Sequence, residues 1–370
     1  MRVLRIDQNS PYRQLIGVGG IGSGIFFDLE GSQTLGRNES RPGRLLDVRD
    51  YCKLHIVTHY VAKLLGARVS DSPFHILPLG RIGEDAPGRQ VVREMTKAGI
   101  DTRLVRAMPD RPSLFSVCFQ YPDGAGGNIT TSNSAASALC PRDIDGVADL
   151  LKSGGKQVIA LAVPEVTLEV RHRFLQLATC TGALRVASFV PAEIGPAQRA
   201  GMFEMLDVVS LNDEEAGELI GSSFASTAPD AFVVSCQDFL RSSYPNLRMV
   251  VSTGKSGAYG VTTNLWNHCP APEVEVVSTA GAGDAMLGGM IAALAAGIPF
   301  LRAESLTRRS ADRQIETALE LGVLLGSYKC LSPHTINPSA CIETLIGFGH
   351  DHGQAVSPQI EELLTTPVLA

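Results

Sequence analysis

The sequence predicts an α/β protein: a doubly wound, mainly parallel sheet flanked by helices, with a small β lid. Three observations carry that expectation. Short apolar runs alternate with amphipathic stretches along most of the chain, the rhythm of βα units. Glycines stand where several amphipathic stretches end, at Gly66, Gly99, Gly182, Gly221 and Gly297, where a left-handed residue costs little. Two segments break the rhythm and carry strand-like alternation or turn residues instead.

The buried-strand candidates are residues 14–18, 74–79, 157–163, 184–189, 208–211 and 249–252. Helices are expected over 51–65, 86–98, 167–178, 213–220, 284–296 and 311–325. The lid is expected from segments of about 24–49 and 110–135, the second with strands at 114–121 and 128–131 around Pro122-Asp123-Gly124. Such a lid would cover the carboxyl edge of the sheet, where open α/β folds bind ligands; two ordinary surface excursions are the plainer alternative. No internal repeat appears, and one domain spanning 1–370 is expected. The tail from Ser332 onward is punctuated by proline and gives no pattern.

Composition excludes several classes. The chain has 370 residues, 44% of them hydrophobic, with a net charge of −6, so it can bury a full core and is neither disordered nor fibrous. No Lys/Arg run offers a counterion-releasing face, which argues against nucleic acid. Residues 1–15 carry Arg2, Arg5, Asp7 and Arg13 and no apolar stretch of signal-peptide kind, so a cytoplasmic location is expected. Residues 285–301 approach the length of a membrane span, yet they hold three glycines and Pro299 and follow Asp284; they read as a buried helix, with no membrane partner. The eight cysteines are scattered without a C-x-x-C pair and read as small core hydrophobes.

Chemistry concentrates in three places. In Val276-Val277-Ser278-Thr279-Ala280-Gly281-Ala282-Gly283-Asp284, a strand-like run feeds a small-residue turn and an apolar helix. Small residues let the backbone approach an anion, and first-turn N–H groups point at it with the positive end of the helix dipole. Asp284 is either a helix cap or, beside such an anion hole, a general base for an attacking hydroxyl. The anion hole makes the base the better reading. In Ser210-Leu211-Asn212-Asp213-Glu214-Glu215, Asn212 and Glu215 share one helical face, a spacing that suits either a capping box or a hydrated Mg²⁺. In Ser252-Thr253-Gly254-Lys255-Ser256-Gly257, a glycine loop after a strand suits nucleotide phosphates or a plain hairpin turn; a Walker A motif is excluded because Met249 stands where its first glycine belongs. Gly17-x-Gly19-x-x-Gly22 formally matches a dinucleotide fingerprint, but Gly31, Gly36, Pro42 and Gly43 deny it the helix it needs.

With Leu79-Gly80-Arg81-Ile82-Gly83-Glu84-Asp85-Ala86-Pro87-Gly88 ahead of them, these three stretches fall in the order seen in the PfkB carbohydrate kinases of the ribokinase-like superfamily, and the chain resembles that family over roughly residues 15–330. The resemblance implies a ribokinase-like fold and an ATP-dependent kinase that phosphorylates a hydroxyl of a small sugar-like or nucleoside-like acceptor. It implies Asp284 as base, Gly281, Ala282 and Gly283 as anion hole, and Ser252, Thr253, Gly254, Gly257 and Thr279 around ATP. It also implies Asn212 and Glu215 as supports of Mg²⁺ through water.

The chain departs from the family at three places. Ser278 replaces an Asp that often helps hold a monovalent cation, which leaves dependence on K⁺ open. The family's sugar-binding G-G-x-G-x-N is replaced by Cys52-Lys53-Leu54-His55-Ile56-Val57, and Gly24 stands near the place of an expected acid, with Asp28 four residues later. Asp28, Asn38, Lys53 and His55 are the acceptor-site candidates, each also readable as an ordinary surface or core residue. Lys53 and His55, with His59, would read an acceptor other than ribose, an anionic one included. A homodimer through the lid edges is a further expectation. The alternative function is a catalytically silent ligand-binding or regulatory protein on the same fold.

Overall fold

The computed structural model describes residues 2–31, 34–122, 126–303 and 314–365. β1 (Gln14–Val18) leads into β2 (Gly22–Leu29), β3 (Gly43–Tyr51) and α1 (Lys53–Leu65). β4 (His75–Gly83), α2 (Ala86–Lys97) and β5 (Val105–Met108) follow, then β6 (Leu114–Gln120) and β7 (Gly126–Thr130). Strands then alternate with helices, two of them before the last strand: β8 (Val158–Ala162), α3 (Leu168–Thr181), β9 (Leu184–Ser188), α4 (Pro191–Arg199), β10 (Val208–Asn212), α5 (Asp213–Ile220), α6 (Pro229–Ser243) and β11 (Arg248–Ser252). β12 (Ala258–Val261) and β13 (Trp266–Cys269) precede α7 (Ala282–Ala295), α8 (Ala318–Lys329) and α9 (Ile342–Asp351).

Nine strands form the central sheet in the order β13-β12-β11-β10-β9-β8-β1-β4-β5. The strands from β11 to β5 run parallel, and β12 and β13 return antiparallel. Alternate side chains feed two cores, one on each face: Ile159 and Leu161 go to one, Val158 and Ala160 to the other. All four are fully buried, which is why these strands read as continuous apolar runs.

The segments expected to leave the rhythm form a separate four-stranded sheet, in the order β3-β2-β6-β7. β2 runs parallel to β6, and β3 and β7 flank the pair antiparallel. Gly22 opens a strand rather than a helix, so no dinucleotide fold follows the early glycines. The expected turn at Pro122-Asp123-Gly124 falls largely outside the described residues, as does the start of the helix expected over 311–325, which is observed as Ala318–Lys329. The tail is more informative than its sequence: after α8, residues 332–337 return to the sheet edge. There Thr335 N–H donates to Arg49 O (3.1 Å), and Tyr51 N–H donates to Thr335 Oγ1 (3.0 Å).

Two helix starts tie the small sheet and the loops to the central sheet. Asp85 caps α2 by accepting from Gly88 N–H (2.9 Å) and also binds Ser113 through its N–H and hydroxyl, which joins α2 to the foot of β6. This accounts structurally for the Gly83-Glu84-Asp85-x-x-Gly88 stretch. α1 has no cap of its own; Glu165, from the loop after β8, accepts from Lys53 N–H at 3.0 Å.

Candidate active site

The carboxyl edge of the central sheet brings Asn212 and Ser252 side by side, as cross-strand partners at the ends of β10 and β11. The first turn of α7 faces them. Gly281 begins that helix with φ +80°, and a Cβ there would stand 2.6 Å from Thr335 O, so only glycine makes the turn. Nothing stands within 4 Å of where a Cβ on Gly283 would lie. The Ala282 N–H donates to Thr279 O (3.0 Å), which leaves the N–H groups of Gly283 and Asp284 as the first-turn donors without a helical acceptor.

Asp284 is 8% exposed. It nevertheless opens onto a cavity of about 230 Å³, lined also by Lys53, Asn212, Glu215, Ser252, Gly281 and Gly283. A larger cavity of about 1100 Å³ adjoins it at Asn212, Ser252 and Gly283. Gly254, Gly257, Thr279 and Ala282 line this second space. Eleven predicted residues from four parts of the sequence thus share one continuous cleft, the smaller compartment holding the carboxylate and the larger one the glycine loop.

The chemistry of the small compartment is a cluster of carboxylates around one ammonium. Lys53 Nζ lies 3.4 Å from Asp284 Oδ1. Asp284, then Glu165 and Glu215, hold the Lys53 ammonium well above its ordinary pKa against the cost of burial. Burial pushes Glu215 up, opposed by the N–H of Asn212 and the charge of Lys53. Burial likewise pushes Glu165 up to about 7, opposed by Lys53. Asn212 and Glu215 do form the capping box, Asn212 Oδ1 accepting from Glu215 N–H (2.7 Å) and Glu215 Oε2 from Asn212 N–H (2.8 Å). Each keeps a second polar atom, Nδ2 and Oε1, and both residues line the cleft.

Four candidates do not join this cluster. The Thr253 hydroxyl donates to Gly257 O (3.1 Å) and pins the glycine loop instead of facing either cavity. Asp28 pairs with Arg44 at 2.6 Å on the exposed small sheet, because its position on β2 lies well beyond the end of that strand nearest Asp284. Asn38 sits in an exposed turn with φ 62°. His55 lies on the opposite side of α1 from Lys53, in a separate cavity of about 450 Å³ with His59, Tyr51 and Glu94. Burial drives both imidazoles down, His55 well below its ordinary pKa and His59 to about 4.

The sequence reading missed Glu165, Asp50 and Lys329. Glu165 adopts φ 76°, unusual for a side-chain-bearing residue, and no local pattern announces it. Asp50, the last residue but one of β3, stands in register with Gly24 and accepts from Ser116 Oγ at 2.6 Å. A side chain at 24 would overlap both Asp50 and Ser116. An acid thus stands beside Gly24, on the neighbouring strand, although it lines neither cavity of the cleft. Burial raises its pKa, and the Asp284 charge adds to that.

Residues 61–341 match the family described as pfkB family carbohydrate kinase. The chain belongs to the pfkB family. Among curated relatives, a deoxyribokinase of Salmonella typhi is 26% identical over 224 residues, 58% of this chain and 66% of the relative, so the match spans just under two thirds of that protein. Among solved structures, a ribokinase from Cryptococcus neoformans in complex with ADP superposes with a TM-score of 0.69 at 19% identity, over 90% of this chain and 98% of the other. A Burkholderia thailandensis nucleoside kinase in complex with inosine gives 0.66 at 16% identity, over 92% and 99%. The pfkB chain thus has the ribokinase-like fold.

Proposed function

We propose that this pfkB-family protein transfers the γ-phosphoryl group of ATP to a hydroxyl of a small sugar-like or nucleoside-like acceptor, with Asp284 as general base. The observation that carries this reading is the Asp284 carboxylate at the mouth of α7, open to a cavity beside main-chain N–H groups. The acceptor O–H gives its proton to Asp284 as its oxygen bonds to the γ-phosphorus. The bond from that phosphorus to the β,γ-bridging oxygen breaks, and ADP leaves. The N–H groups of the first turn of α7 stabilise charge on the migrating group, so positioning and electrostatics supply most of the catalysis.

The larger compartment, at about 1100 Å³, has room for ATP. Among the described residues no three His, Cys, Asp or Glu side chains converge as a direct metal cage. The spare atoms of Asn212 and Glu215 fit Mg²⁺ held through water, where the ion supplies positive charge against the triphosphate. Lys53 is already matched by Asp284, Glu165 and Glu215. A further anion would enter a site rich in carboxylates, so a neutral polyol suits it better than an acidic acceptor. The deoxyribokinase and nucleoside kinase likenesses put pentoses and nucleosides first among candidates.

The test is ADP release from ATP and Mg²⁺ with a panel of sugars, sugar acids and nucleosides, in the parent protein and in Asp284→Asn. The variant is expected to keep its melting temperature and nucleotide binding and to lose about 10²- to 10⁴-fold in turnover. Full turnover in Asp284→Asn ends the assignment. Tight binding of one panel member with no ADP release from the parent would instead support the silent, regulatory reading.

A further inference from the structure

Lys329, the last residue of α8, is completely buried, which is rare for a lysine without a carboxylate in contact. Its Nζ donates to Ser278 O at 2.9 Å and lies 3.5 Å from Ser332 O. Both partners are main-chain carbonyls. Burial pushes the Lys329 pKa down to about 8, with Cys330 and Asp50 opposing. Taking an ammonium out of water is expensive, so the carbonyl dipoles around it are what make the charge tolerable.

The position explains the arrangement. Ser278 stands three residues before the Gly281 turn, on the segment that enters the anion hole. Val277 and Ser278 both donate N–H to Cys330 O (2.8 and 3.2 Å), so Lys329 and Cys330 grip this segment by both its N–H and its C=O groups. Ser332 belongs to the same loop as Thr335, whose carbonyl lies against Gly281. Two carbonyls converging from separate segments form the kind of oxygen cluster that a monovalent cation occupies, and an ammonium is close to K⁺ in size and charge. Ser278 offers no carboxylate to such an ion, and the place between the carbonyls is filled by the Lys329 ammonium.

We infer that Lys329 is a built-in monovalent cation: its ammonium occupies the space beneath the phosphate cradle, fixes the 277–283 turn and frees the protein from dependence on K⁺. It is a positioning residue, acting on the transferred group only through the turn it holds and through its charge. The inference rests on the kinase reading for turnover, but not for stability.

The experiment compares the parent protein with Lys329→Met, which has similar length and no charge, and with Lys329→Ala. Each is held in K⁺, NH₄⁺ or tetramethylammonium chloride at one ionic strength, and melting temperature, nucleotide binding and turnover are measured. The parent is expected to be indifferent to the cation in all three. At least one variant is expected to lose about tenfold or more in turnover in tetramethylammonium, and to regain turnover and several degrees of melting temperature in NH₄⁺ or K⁺, since an ion that binds only the folded state stabilises it. Several-fold stimulation of the parent by K⁺, or variants that match the parent in tetramethylammonium, would overturn the inference. If neither variant folds, cation dependence of the parent alone decides. If the parent has no turnover in any buffer, the kinase reading fails while the melting temperatures still judge Lys329.

Discussion

The two ends of the cleft are built on different principles. At the end proposed for the phosphoryl group, the phosphoryl end, the chemistry is main-chain: a left-handed Gly281, an open Gly283, and a glycine loop in which a side chain at Gly257 would collide with Cys269 O. At the end proposed for the acceptor it is side-chain chemistry gathered from afar. Lys53 comes from α1, Glu165 from the loop after β8, and Glu215 from the first turn of α5. A backbone cradle admits very few residue types, so its sequence is nearly forced. A side-chain cluster needs only the right groups in the right place, and neighbouring elements can supply them in more than one way.

The strongest challenge to this contrast is Gly283→Ala. Its new methyl meets nothing within 4 Å, and alanine in a helix is favoured over glycine by about 0.5–1 kcal/mol, so the fold should become slightly more stable. The methyl would, however, project where a phosphate must approach the backbone. Turnover and nucleotide affinity should fall by roughly 10²-fold in a protein that melts no lower than its parent, a combination that kinetics and calorimetry read together. If affinity and turnover survive, the cradle is not where the phosphate sits.

A smaller effect is expected at the other end. Lys53→Met removes the one ammonium among Asp284, Glu165 and Glu215. Turnover should drop about 10-fold, with nucleotide affinity close to the parent's, because the larger compartment does not include residue 53. A loss confined to nucleotide affinity would place Lys53 in the phosphoryl end instead and erase the division between the two.

That division is also the measure of what could be read in advance. The parallel strands were legible because burial on both faces makes them continuously apolar, and the small sheet because its glycines and prolines interrupt the βα rhythm. The α7 turn was legible because an apolar run, small residues and an acid follow one another within a dozen positions, although the run is no strand in the fold and Val276 and Val277 are exposed. Glu165 was hidden because an ordinary Pro164-Glu165 pair gives no hint of a left-handed backbone. Asp50 was hidden because a strand pairing, not a spacing, brings it beside Gly24. His55 was misplaced for a helical reason: it lies two residues from Lys53, and residues two apart do not share a helix face.

The smallest effects on turnover concern that misplaced face, and they separate the two sides of α1 by pH. Glu165 ordinarily titrates near 4.5 and in the fold near 7. Between those values the folded protein holds a proton that the unfolded chain has released, so this residue makes stability fall as pH rises. His55 and His59 act oppositely: their ordinary value is 6.5, and in the fold both lie lower, His59 near 4. Between pH 6.5 and 4 the unfolded chain takes up protons that the buried rings refuse, so stability falls as pH drops. The two slopes partly cancel in the parent. Glu165→Gln should leave the histidine slope exposed, with stability climbing from pH 4 to 6.5 by about 2 kcal/mol more than in the parent. His55→Phe keeps an aromatic ring against Tyr51, 4.6 Å away in the parent, and should flatten the acid limb in urea titrations while turnover stays within about twofold. A tenfold loss of turnover in His55→Phe would carry the acceptor site through to the outer face of α1, and the cluster around Lys53 would then be only half of it.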